Sequence, residues 1–372
     1  MKTEVASAPK RLFFIDAIRA WAILMMLQGH FVDGLLAHEY RNPEMPVYAL
    51  WRYFRGVTAP VFFTVSGFIF TYLLVKAKQS NHSNPRVNKG FKRGLELVCY
   101  GYILRTNIFG LLKGKLYDSF FVIDVLHCIG LAIIGVLLIY TLTKRFNTAV
   151  FSSILLLIAI ALFTYEPYYK LLDYSQLPKA LANYVTKANG SVFTIIPWFG
   201  YTCIGGFMAT IFYRYAAISN LYIKGITILI PVGLFLLFLS SPTFSFMAEH
   251  FGITILEAVA NYNYLYIRLG DVCLAFAFFM LLENYVKHPT FLKIGQSTLS
   301  IYVIHFMILY GSFTGFGLYQ TWNHQLTAIQ VIFGAILFIV LVCSIALFYE
   351  KQKAPLFNTF HRVKNNVIKK LQ

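Results

Sequence analysis

Residues 11–36 read RLFFIDAIRAWAILMMLQGHFVDGLL, from Arg11 to Leu36. Most of these side chains are apolar, and about 20 apolar residues at 1.5 Å rise span the hydrocarbon core of a bilayer. The same stretch holds Asp16, Arg19, His30 and Asp33. A charge at the centre of a bilayer costs about 2.5–3.5 kcal/mol on insertion scales, so such residues turn to the protein interior and serve a purpose there. Arg19 and His30 lie eleven positions apart, about three helical turns, which puts them near one face and roughly 16 Å apart along the axis. A cation toward one end and an imidazole toward the other outline a path along one helix.

The rest of the chain agrees with a membrane setting. Of its 372 residues 58% are hydrophobic, 17% aromatic and 13% charged, and the mean hydropathy is +0.64. Soluble domains carry about 25% charge, so the class is an integral, multi-pass membrane protein with lipids as its first partners. The formal net charge of +17 raises nucleic acid as a ligand. The basic residues fall between apolar segments, however, and the positive-inside bias accounts for them, so no nucleic-acid partner is expected. Cys99, Cys128, Cys203, Cys273 and Cys343 stand singly in apolar surroundings with no CxxC or Cys/His ligand spacing. Neither a disulfide nor a metal site is expected. The start MKTEVASAPKR leads into a long hydrophobic stretch with no small-residue cleavage site, which reads as an uncleaved first span.

Ten apolar segments can be drawn, at about 12–34, 54–75, 91–112, 119–142, 148–165, 192–215, 221–240, 265–286, 293–318 and 325–349. Lipid satisfies no backbone polar group, and the segments lack the alternation of barrel strands, so the predicted fold is all-α with about ten transmembrane helices. No repeat or linker divides the chain. It reads as one domain over 1–372, with a helical core at about 11–350 and a basic tail at 351–372. With the N-terminus inside, the inner segments hold 21 Lys and Arg, six of them in 76–93, and the outer loops hold seven. That asymmetry predicts both termini in the cytoplasm.

Polar groups inside the segments are the candidates for chemistry. His30, Asp33, Asp124, His127, Arg268 and Asp271 fall in the predicted outer half, Asp16 and Arg19 nearer the inner side. A histidine beside a carboxylate is the usual general-base arrangement, because the carboxylate fixes the tautomer and stabilises the imidazolium. Asp33 follows His30 by three residues, and Asp124 stands three before His127. No GxSxG elbow suggests a covalent nucleophile, and no HExxH motif suggests a metal. Several features also have plain structural readings. Asp16–Arg19 and Arg268–Asp271 can be ion pairs that neutralise each other. His305 can be an interhelical hydrogen-bonding residue. Ser66-Gly67-Phe68 can be a helix-packing motif, and Pro197-Trp198 an interfacial anchor.

In order along the chain, Arg11-Leu12 through Ile15-Asp16, Ile18-Arg19 and His30 resemble the first helix of the membrane acyltransferase superfamily. That superfamily includes the acyltransferase-3 proteins and the heparan-alpha-glucosaminide N-acetyltransferase catalytic domain. Phe62-Phe63 with Ser66-Gly67-Phe68 is similar to its second-helix signature. Lys92-Arg93-Gly94, Asp124 through Gly130, Pro197-Trp198-Phe199-Gly200, and Gly295-Gln296-Ser297 through Tyr302 with His305 resemble the glucosaminide branch. One departure is that Arg19 is followed by Ala20-Trp21, where these proteins have Gly after Arg. His38, in the next loop, is a second candidate for the catalytic histidine.

The resemblance implies transfer of an acetyl or other short acyl group from cytoplasmic acyl-CoA, acetyl-CoA foremost, to a sugar hydroxyl or amine on the outer side of a bacterial inner membrane. His30 is then the general base, with Asp33, Asp124 and His127 around it, and Arg19, Ser66, Gly67 and His305 hold the donor. The acceptor partner is a glycan or other small molecule, and a homo-oligomer is compatible with the sequence. The alternative is a proton-coupled transporter or flippase of a polar or lipid-linked substrate, in which the buried Asp and His relay protons.

Overall fold

The computed structural model describes residues 12–77 and 84–371. Arg11, the first residue of the leading motif, and residues 78–83 of the basic 76–93 segment lie outside the described residues. Among those described the elements are helical, with two isolated β-bridges and no strand. The main helices are α1 (Phe13–Leu35), α2 (Pro46–Ala77), α3 (Pro85–Leu104), α4 (Val125–Thr143), α5 (Thr148–Thr164) and α6 (Ile195–Arg214). They continue with α7 (Leu221–Phe251), α8 (Tyr264–Leu281), α9 (Pro289–Gln296), α10 (Thr298–Tyr310) and α11 (Ala328–Leu371).

Each of the ten apolar segments meets a helix, or in one case a pair bent by 73° between α9 and α10. Six helices are long and apolar enough to cross a membrane, and the bent pair makes a seventh. The three remaining segments depart for different reasons. α1 carries Asp16, Arg19, Gln28, His30 and Asp33. α3 begins six residues before the expected segment and draws Lys89, Lys92 and Arg93 onto a helix with one polar side. α5 has 17 residues.

α1 tolerates its charges because protein surrounds it. Ile23, Leu27, Phe31 and Leu35, spaced by four and therefore on one stripe, pack with Ile301, Leu309, Val331, Ala335, Phe338, Val342 and Ala346 of α10 and α11. Phe14, Ile15, Ile18 and Ala22 enter the larger core with α2, α4, α6 and α8. A helix apolar on several sides belongs in the middle of a bundle. α7 is the opposite case, with 11% of its apolar window buried inside the protein.

Two glycines set the tightest crossing. A Cβ on Gly67 of α2 would fall against the carbonyl oxygen of Thr202, and one on Gly205 of α6 against that of Thr64. The bare backbones are in contact in both directions. Trp198, for which an interfacial anchor was the plain reading, is buried, stacked on Phe63 at 5.2 Å between centroids and edge-on to Phe193 at 4.9 Å. The region after α5 folds over the start of α4. Asn183 Nδ2 donates to the carbonyl of Phe121 at 2.7 Å, and Val192 N to that of Ile123 at 3.1 Å.

Candidate functional site

Arg19 sits where α9 breaks into α10. Its Nη2 donates to Thr298 Oγ1 at 3.0 Å, its Nη1 is 3.9 Å from Asp16 Oδ1, and Gln296 Nε2 donates to Asp16 Oδ2 at 3.2 Å. The Asp16–Arg19 pair is therefore one edge of a four-residue polar group. The Gly absent after Arg19 has a counterpart on the facing helix. A Cβ on Gly295 would strike the Asp16 carbonyl and lie 3.0 Å from Ala20 N, so close approach at this level comes from α9.

Further along the same two helices His30 meets His305. His30 Nδ1 lies 3.2 Å from His305 Nε2, with ring centroids 5.1 Å apart. α1 and α10 run side by side in the same direction, since Arg19 matches Thr298 and His30 matches His305. His305 is fully buried between the rings of Tyr302 and Phe306, at 4.8 and 5.5 Å. Tyr310 closes the other side of His30 at 5.9 Å. His305, a candidate for holding the donor or for an interhelical hydrogen bond, stands against the His30 imidazole.

Asp33 does not pair with His30. Its carboxylate forms an ion pair with Arg55 of α2. A guanidinium from a neighbouring helix offers a charge-assisted bond that a neutral imidazole one turn back cannot match. Arg41 completes that end of α1. It donates to the carbonyls of Leu36 at 3.0 Å and Val32 at 3.3 Å, and to that of Asp33, and its Nη2 is 2.9 Å from His324 Nδ1. The end of a helix leaves its last carbonyls short of intrahelical donors, and of these three the Val32 carbonyl also accepts from Leu36 N at 3.0 Å.

Asp124 and His127 are neighbours, as their spacing requires, and together they cap α4. Leu126 N donates to Asp124 Oδ1 at 3.1 Å, and Asp124 N donates to His127 Nδ1 at 3.2 Å, the reciprocal pattern of a capping box. Arg105 Nε donates to Asp124 Oδ2 at 3.3 Å, and its guanidinium carbon lies 5.7 Å from the centre of the Phe306 ring. The cluster thus touches the residue next to His305, while His127 itself is fully buried beneath Tyr102, ring centroids 4.5 Å apart.

The remaining candidates occupy packing positions. Ser66 Oγ donates to the carbonyl of Phe62 in its own helix at 2.8 Å, and Gly67 lies against Thr202. Arg268 Nη1 donates to Asp271 Oδ2 at 2.8 Å under Tyr53, whose hydroxyl donates to Asp271 Oδ1 at 2.5 Å. That pair ties α8 to α2. His38 is exposed on a 3₁₀ turn, its ring 4.4 Å from that of His324. Among the described residues no three His, Cys, Asp or Glu side chains gather as a metal site.

Sequence reasoning missed four partners: Arg55, Arg105, Thr298 and Tyr310. The two arginines carried a usable signal, since each is a cation in or at the edge of an apolar segment and needs a carboxylate. Asp33 and Asp124 were already in view as acidic counterparts.

The arrangement has a polar, cationic group at the α9–α10 break and a pair of imidazoles two to three turns along, on one side of one helix. Such a layout can hold an acyl donor at one point and move a proton at another. No curated protein sequence matches the chain. The family model for heparan-alpha-glucosaminide N-acetyltransferase, catalytic, matches residues 11–245, which include Arg19, His30, Asp124 and His127. That span is more than half of the 372 residues, and the chain belongs to the heparan-alpha-glucosaminide N-acetyltransferase catalytic family.

Proposed function

We propose that the protein is an acyltransferase of the bacterial inner membrane. It takes an acetyl or other short acyl group from an acyl-CoA on the cytoplasmic side and passes it to a sugar hydroxyl or amine on the outer side. The observation that carries this reading is His30 held against His305 on the helix that also bears Arg19, in a chain of an N-acetyltransferase family. In the reaction Nε2 of His30 accepts the proton of the acceptor hydroxyl or amine as it attacks the thioester carbonyl. The C–S bond breaks, and His30 returns the proton to the departing thiolate, leaving CoA as the free thiol. General base help of this kind contributes about 10²- to 10⁴-fold.

Sidedness provides the test. Acetyl-CoA does not cross a bilayer unaided, so everted membrane vesicles loaded with an acceptor amino sugar should release free CoA from labelled acetyl-CoA in the medium. Right-side-out vesicles should not. Release from right-side-out vesicles alone would reverse the orientation and remove the cytoplasmic donor.

Arg19 is assigned to the donor, as a charge-assisted partner for a carbonyl or phosphate oxygen at the cytoplasmic end of the path. Arg19→Lys keeps the charge but loses the planar fork that reaches Thr298. Acetyl-CoA affinity measured by calorimetry should fall at least several-fold in Arg19→Lys and further in Arg19→Ala. Unchanged affinity in both would reduce Arg19 to a strut between α1 and α10.

One observation favours a second reading, a proton-coupled transporter or flippase. The 73° break between α9 and α10 lies inside the bundle beside Asp16 and Arg19, and broken helices bind substrates and ions in transporters. That reading predicts no CoA release from either vesicle orientation.

A further inference from the structure

We infer that His305 is the positioning residue that keeps the proton-accepting nitrogen of His30 free. The inference rests on the proposal that His30 is the general base. A neutral imidazole carries one N–H, and which nitrogen holds it is set by what the other nitrogen meets. Between His30 Nδ1 and His305 Nε2, 3.2 Å apart, one proton is shared. Two arrangements are open. Either His30 donates from Nδ1, which leaves its Nε2 with a lone pair, or His305 donates from Nε2, which leaves the His30 proton on Nε2 and the base disabled.

The surroundings of His305 decide between them. Its Nδ1 is buried with no hydrogen bond of ordinary geometry. The backbone groups that act on the ring are the carbonyls of Ile301 and Tyr302, one turn back on α10, and with Nε2 turned to His30 the nitrogen left for them is Nδ1. Carbonyl oxygens only accept, so a lone pair on Nδ1 facing them is repelled and an N–H is attracted, even at a long distance. The proton of His305 therefore belongs on Nδ1, its Nε2 accepts, and His30 Nδ1 donates. The rings of Tyr302 and Phe306 hold the orientation. This is the job a carboxylate performs for a catalytic histidine elsewhere, and it falls to a neutral ring because Asp33 is taken by Arg55.

Chain chemistry separates this role from packing. The carboxamide oxygen of Gln at position 305 ends near the place of Nε2, whereas that of Asn ends near Nδ1 and cannot reach His30. His305→Leu and His305→Asn should lose turnover by about 10- to 100-fold, the usual cost of removing an orienting partner, with the KM for acetyl-CoA unchanged. His305→Gln should recover most of it. Nitrogen-15 NMR of labelled histidine should show His30 protonated at Nδ1 in the native protein and in His305→Gln, and a mixture of tautomers in His305→Leu.

Asn restoring turnover as well as Gln, or full turnover in His305→Leu beside an inactive His30→Ala, overturns the orienting role and leaves the base in place. Normal turnover in His30→Ala removes the base itself, and the two failures are thereby told apart.

Discussion

His30→Ala is expected to lose acetyl transfer by about 10²- to 10⁴-fold while remaining folded and still binding acetyl-CoA. The side chain is only partly enclosed, between His305 and Tyr310, so its removal opens a small gap beside rings that already pack on each other. The proposed donor end of the path is untouched, because Arg19 and its partners lie about three turns away along α1. Loss of turnover with intact donor binding is the signature of a group needed only when the acceptor gives up its proton. His38→Ala and His127→Ala are the informative companions. His38 is exposed beside His324, and its removal should leave turnover near normal. His127 supports a helix cap, so its removal should lower stability before it lowers the intrinsic rate. Near-normal turnover in His30→Ala together with loss in His38→Ala would move the base to the exposed turn.

The second large effect concerns the crossing of α2 and α6. Gly205→Ala places a methyl on the Thr64 carbonyl oxygen and 2.8 Å from Phe68 N. Backbone cannot swing aside as the tip of a side chain can, so the helices must separate, and the stacking of Trp198 on Phe63 separates with them. Overpacking of this kind costs about 1–3 kcal/mol, occasionally more. The double variant with Gly67→Ala is expected not to accumulate as a folded protein. Gly225→Ala is the control, since its Cβ would meet the flexible Met280 Sδ at 3.3 Å. Thermal unfolding in detergent should rank Gly205→Ala well below Gly225→Ala, and equal midpoints would mean that α2 and α6 slide past each other freely.

Much of the architecture could be read from the residues in order. Apolar length announced the helices, and the polar residues of 11–36 announced that one of them lies inside the bundle. What could not be read was partnership. Asp33 follows His30 by three residues, and local spacing alone makes it the natural orienting carboxylate. Only the position of Arg55, on a helix that starts eight residues earlier than its apolar segment suggests, shows that it is engaged elsewhere. The plain reading of Trp198 as an anchor gives way for a similar reason, since an aromatic near a segment boundary anchors to headgroups unless other aromatic rings enclose it. The Asp124–His127 pair was recognised by spacing, but the same spacing serves a capping box, and the free N–H groups at the start of α4 claim it.

The two imidazoles that meet at 3.2 Å are separated by 275 positions in the chain. At about 5–20 residues per second of translation, His30 is made roughly 14 to 55 s before His305. Through that interval the nascent chain holds α1 to α8, including the whole 11–245 stretch shared with its family, without the ring that meets His30. The contact between the two rings is accordingly completed late in biosynthesis, when α10 slots in beside α1. A chain cut short upstream of α10 would carry His30 without the ring that meets it.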